Sequence, residues 1–172
     1  DAHAALNNTP IRGIDVISAN EVWYSTFGMG LYLHDPGTFI TIGSADGLDT
    51  GGMVYDLAAD NGTVYIATGN GLFTYNNGRV TGHYTTADGL PSNKVLDMDM
   101  DSKGTLWLAT AKGLSQFTGS GFKNYSRKDG LPSSLVTAVH IDRNDNSRIW
   151  TGSTSSGLTR FDAKGFFTFA VQ

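Results

Sequence analysis

Apolar and polar positions alternate along this chain in short bursts, and no segment keeps the three-four apolar spacing of an amphipathic helix. In one stretch the bursts read "KVLDMDMD", "TLWLAT", "GLSQF" and "FKNYS". "DSKG" between the first two is a tight hairpin signal, and "DGLPS" connects to the next set. The pattern predicts four short antiparallel strands.

The same phrase recurs. "GTLWLATAKGLSQF" is matched by "NEVWYSTFGMGLYLH", "GTVYIATGNGLFTY" and "SRIWTGSTSSGLTRF". Gly-Leu falls at Gly30, Gly71, Gly113 and Gly157, at steps of 41, 42 and 44 residues. The aromatic position falls at Trp23, Tyr65, Trp107 and Trp150, at steps of 42, 42 and 43. Asp-Gly-Leu begins at Asp46, Asp88 and Asp129, at steps of 42 and 41. Three independent markers hold one period, which excludes coincidence. A period of about 40–45 residues with four strands is that of a β-propeller blade. The sequence therefore predicts an all-β fold, a single propeller region over 1–172 with four-stranded antiparallel blades at approximately 11–48, 49–90, 91–131 and 132–172. A closed four-bladed ring and a part of a larger or oligomeric ring both fit. An open arc would expose the apolar faces of its end blades, so self-association through them is expected.

The recurring residues have packing roles. Trp23, Tyr65, Trp107 and Trp150 are large plates for the wedge between blades. Gly30, Gly71, Gly113 and Gly157 supply a positive-φ or close-packed corner. Thr26, Thr68, Thr110 and Ser153 close the second strand and bond a turn. His34 shares a column with Tyr75, Phe117 and Phe161, so an aromatic packing role is expected of it.

"DGLPSNKVLDMDMDSKGTLWLATAKGLSQF", Asp88 to Phe117, resembles the two-component regulator propeller repeat, and "DGLPSSLVTAVHIDRNDNSRIWTGSTSSGL", Asp129 to Leu158, is similar to it. The resemblance implies a non-enzymatic ligand-sensing or binding propeller for carbohydrate or envelope-associated ligands, periplasmic, secreted or on the bacterial surface. It does not imply a cofactor.

Composition narrows this further. Glu21 is the one glutamate among 16 acidic residues, and with 22 glycines the chain favours turns over helices. The net charge of −4 argues against a nucleic-acid surface. With no cysteine there is no disulfide or thiolate metal site. No apolar run approaches the ~20 residues of a membrane helix.

Candidate chemistry sits on the first strand of each blade, which lines the axis of a propeller. Alternate positions bring Asp15, Asp56, Asp97, Asp99 and His140 onto one face. These are candidate ligand-binding residues, through hydrogen bonds to sugar hydroxyls or oxygen ligation of a hard cation such as calcium; a water-filled polar channel is the plain alternative. His83 falls on the solvated outermost strand and His3 in a tail. An alternative function is a propeller lyase acting on a polysaccharide or cyclic peptide, with His140 beside Asp99 as base and carboxylate. A third is a structural protein–protein interaction platform.

Overall fold

The computed structural model describes residues 10–18, 21–26, 30–35, 38–50 and 53–169, and the His3 tail lies outside them. Among the described residues, sixteen strands form four sheets, each of four antiparallel strands in sequence order. The first holds β1 (Ile11–Ser18), β2 (Glu21–Thr26), β3 (Gly30–Asp35) and β4 (Thr38–Ile42). The second holds β5 (Val54–Asp60), β6 (Thr63–Thr68), β7 (Gly71–Asn76) and β8 (Arg79–Tyr84). The third holds β9 (Val95–Met100), β10 (Leu106–Thr110), β11 (Gly113–Phe117) and β12 (Phe122–Tyr125). The fourth holds β13 (Ala138–Ile141), β14 (Ile149–Ser153), β15 (Gly157–Asp162) and β16 (Gly165–Phe169). The fold is all-β and each sheet is a propeller blade. Packing divides the chain into two compact units, Asp1–His83 and Tyr84–Gln172.

In the first unit, Trp23, Leu31 and Ile42 of blade one are buried against Leu57, Ile66 and Tyr75 of blade two. The Trp23 and Tyr75 rings meet edge to face at 5.3 Å. The second unit repeats the arrangement, with Trp107 and Leu114 against Val139, Ile141 and Phe161, and with 5.8 Å between the Trp107 and Phe161 rings. Trp23 and Trp107 thus fill the wedge between two sheets, which neither sheet could bury alone. Tyr65 and Trp150 are half-buried.

His34 departs from its expected packing role. Its register opposite Val22 matches that of Tyr75 opposite Val64 and Phe161 opposite Ile149, yet its side chain is exposed. Tyr75 and Phe161 pack against the tryptophan of the preceding blade. Among the described residues of the first unit, no tryptophan of another blade stands before β1 to receive His34.

The repeated motifs find local causes. Gly113 has φ +135°, and a Cβ there would lie 2.5 Å from the Tyr125 carbonyl oxygen; Gly30, at φ +98°, stands equally close to that of Ile42. Only glycine fits such a corner. Thr68 and Thr110 close it by donating to the Gly71 and Gly113 carbonyls at 2.7 and 2.8 Å. Asp-Gly-Leu is a one-turn 3-10 element followed by a plug. Asp88 accepts from the Thr85 amide at 2.8 Å, Gly89 takes φ +103°, and Leu90 is buried. Asp129, Gly130 and Leu131 repeat the arrangement. The Ser126 amide and hydroxyl beside the Asp129 carboxylate hold its pKa below the ordinary value.

Candidate functional site

The first strand of every blade pairs on one side only, with the second strand, so alternate N–H groups along its other edge lack a sheet partner. Register places Asp15 opposite Trp23, Asp99 opposite Trp107 and His140 opposite Trp150. One column back, Asp56 and Asp97 stand opposite Ala67 and Ala109. These side chains lie on the tryptophan face, and the backbone amides of a neighbouring blade that Asp15, Asp97 and Asp99 reach belong to its first strand.

In the first unit, Asp15 Oδ1 accepts from the Val16 amide at 2.8 Å and Oδ2 from the Ala59 amide of blade two at 2.7 Å. In the second unit, Asp99 Oδ1 accepts from Met100 N at 2.9 Å and Oδ2 from Ile141 N at 2.9 Å. Asp97 Oδ2 accepts from Val139 N at 2.7 Å. Each of these carboxylates therefore caps edge amides that a closed sheet would have paired. Aspartate suits the role because it is short and, ionised, only accepts.

Asp99 gathers more. His140 Nδ1 lies 3.0 Å from its Oδ2, and an Arg143 guanidinium nitrogen donates to Oδ1 at 2.8 Å. Arg143 also donates to the Met100 carbonyl at 3.3 Å. The carboxylate is 12% exposed, whereas His140 and Arg143 are 65% and 64% exposed. Because the carboxylate only accepts, Nδ1 carries the hydrogen and Nε2 faces outward. The cluster thus presents an imidazole and a guanidinium held in place by a partly buried anion.

The second unit brings Asp97, Asp99 and His140 together, while Asp15 and Asp56 belong to the first. Among the described residues no group of three His, Asp or Glu side chains is arranged to hold a metal ion. Arg143 was not legible as a site residue. Its one signal is the enlarged turn "DRNDNSR", where blade three has "DSKG".

A second concave surface lies on blade four. Its β14–β15 turn runs from Ser153 to Gly157, one residue longer than Thr110 to Gly113 in blade three. Ser153, Thr154, Ser155, Ser156, Thr168 and Pro132 line a cavity of about 490 Å³, with no charged side chain. In blade two the His83 ring, in the column of Thr168, reaches Asn70 O at 2.7 Å and stacks on Phe73.

Residues 89–112 match the family model described as two component regulator propeller. The match is to one repeat, from the connector before β9 to the turn after β10. No curated protein matches it at the sequence level. Among solved structures, this propeller superposes on the extracellular domain described for the hybrid two component system BT3049 of B. thetaiotaomicron, with 25% identity and a TM-score of 0.80. The match covers 94% of this chain and 23% of that one, so the repeat region spans about a quarter of its relative. It also superposes on virginiamycin B lyase from Staphylococcus aureus (14% identity, 95% of this chain, 56% of that, TM-score 0.73). The computationally designed Ika4 protein matches at 13% identity, over 90% of this chain and 92% of that, with a TM-score of 0.63. The last two likenesses show the fold alone.

Proposed function

We propose that this propeller is part of the extracytoplasmic sensing region of a two-component system and binds a carbohydrate or another envelope-associated polyhydroxyl ligand without transforming it. The observation that carries the reading is the 25% identity over 94% of the chain with an extracellular domain of a hybrid two component system. Among the described residues no helix is long and apolar enough to cross a membrane. His140 and Arg143, anchored on Asp99, offer outward polar groups for sugar hydroxyls. The uncharged hydroxyl-lined cavity beside Pro132 suits the same ligand class. Asp97 holds the frame of this site by accepting from the Val139 amide, and Asp15 plays the corresponding part within the first unit.

Calorimetric titration with neutral and acidic oligosaccharides tests this. Saturable binding that weakens at least tenfold in His140→Ala or Arg143→Ala is the expected result. Saturable binding unchanged in both variants would move the site to the blade-four cavity, and no binding at millimolar ligand would remove the carbohydrate reading.

The Asp99–His140 pair favours one second reading, a lyase in which His140 Nε2 acts as general base. Product release from the same oligosaccharides, abolished in His140→Ala, would establish it instead.

A further inference from the structure

The hydroxyl-lined cavity of blade four occupies a defined place in the repeat, and two other blades show how that place is closed. Its walls are the β14–β15 turn, Pro132 of the connector before the blade, and Thr168 of β16, all within the second unit. In blade three, Asn124 of β12 bridges the corresponding gap. Its side chain accepts from Ser115 Oγ at 2.7 Å and donates to the Gly89 carbonyl of the connector at 2.8 Å. In blade two, His83 Nε2 lies 2.7 Å from the Asn70 carbonyl and the ring stacks on Phe73 at 3.9 Å. Asn70 in turn donates to the Asp49 carbonyl of the preceding connector at 3.3 Å. Blade four has Thr168 opposite Thr159, in the register of Asn124 opposite Ser115. Threonine is too short for either bridge. The turn is also one residue longer, Ser153–Gly157 against Thr110–Gly113. Both changes fall where the cavity opens. Its volume of about 490 Å³ lies within the range of about 300–1,000 Å³ usual for small-molecule sites.

We infer that this cavity is a binding pocket for a neutral sugar ring, separate from the His140–Arg143 cluster. The inference rests on the polyhydroxyl reading above and narrows it. The two places lie at opposite ends of blade four, because the β13–β14 turn that carries Arg143 and the β14–β15 turn leave opposite ends of β14. Serine and threonine hydroxyls both donate and accept, as the hydroxyls of a sugar ring do. Part of the wall is already set. The Ser156 amide donates to Ser153 Oγ at 2.9 Å, and Ser155 Oγ lies 3.2 Å from Ser133 Oγ of the connector. Thr154 and Thr168 are exposed on the wall and offer their hydroxyls to a ligand. With no charged side chain in the lining, a carboxylate brought here would lose water without gaining a cation. Arg127, which donates to the Pro132 carbonyl at 3.1 Å, stands outside the lining. Neutral hexoses and pentoses therefore fit, and uronates do not.

Amide NMR titration of the chain with glucose, galactose, mannose, xylose and glucuronate tests the inference. Saturable shifts at Ser155, Ser156 and Thr168 are expected with at least one neutral sugar, and weaker binding with glucuronate. Thr168→Asn restores the blade-three side chain and should weaken that sugar by roughly tenfold or more. Thr168→Ser keeps both the space and a hydroxyl, and should retain binding. The amide spectrum of each variant checks that it is folded, and the shifts in the unaltered chain decide the matter if one is not. Saturable shifts confined to His140 and Arg143 would overturn this pocket while leaving the polyhydroxyl reading in place. So would turn amides that stay unmoved with every neutral sugar, glucuronate binding there more tightly than the neutral sugars, or unchanged affinity in a folded Thr168→Asn.

Discussion

The junction between blades one and two and that between blades three and four solve one packing problem with different polar parts. Each buries a tryptophan against an aromatic ring of the following blade, Tyr75 in one case and Phe161 in the other. Each ties the first strands together with aspartate. At the first junction the tie comes from Asp15, and Gly13 occupies the column of Asp97. The second has two, from Asp97 and Asp99, and adds His140 and Arg143 on the same carboxylate. Trp23 donates its indole N–H to Glu21 at 2.9 Å. In the second unit the corresponding position is Thr105. The apolar columns are dictated by geometry common to every blade. The polar columns vary, and the variation gathers exposed chemistry at blade four.

The largest expected effect breaks what the junctions share. Trp107→Ala and Trp23→Ala should each destabilise their unit by about 3–5 kcal/mol, the range for deleting a buried aromatic, measured by denaturant unfolding. Gly113→Ala comes next, since it puts a Cβ against the Tyr125 carbonyl at a φ of +135°. A loss of about 1–3 kcal/mol or more is expected from the strained backbone. Near-normal stability would mean that the β10–β11 corner can relax.

The repeat, the strand count and the Trp, Gly and Asp-Gly-Leu columns were legible because each blade repeats one local problem. An aromatic column at steps of 42, 42 and 43 residues reports the wedge that Trp23 and Trp107 fill, and Gly113 reports a corner with no room for Cβ. The acids were legible as a column but not in their work. Alternation tells which face Asp97 and Asp99 share, whereas the amides of Val139 and Ile141 that they meet are 42 residues away in another sheet. Arg143 was hidden for a similar reason: it lies beyond the strand, in a turn whose length differs between blades. His34 shows the converse error, since a shared column does not by itself supply a packing partner: its side chain is exposed where Tyr75 is buried.

Smaller effects sharpen the comparison. Asp129 and Asp145 both have lowered pKa values, through the Ser126 amide and the Ser147 hydroxyl respectively. A carboxylate whose folded pKa is depressed stabilises the fold above its unfolded value and loses that contribution as pH falls through the folded one. Both residues lie in the second unit. Thermal melts should therefore show Asp129→Asn and Asp145→Asn losing part of the acid sensitivity below about pH 4, with little change at pH 7 beyond the lost hydrogen bonds. An unchanged acid limb in both variants would place the sensitivity elsewhere.

The central claim is that the aspartates of the first strands hold the blades together by accepting edge amides of the next blade. Amide hydrogen exchange at Ile141 and Val139 tests it most directly. The carboxylates protect these amides, so Asp99→Ala should expose Ile141 and Asp97→Ala should expose Val139, each with the other amide largely retained. The lost partner corresponds to about 1–3 kcal/mol, or at least a fivefold faster exchange at the affected amide. Equal protection of Ile141 and Val139 in the unaltered chain and in both variants would contradict the account.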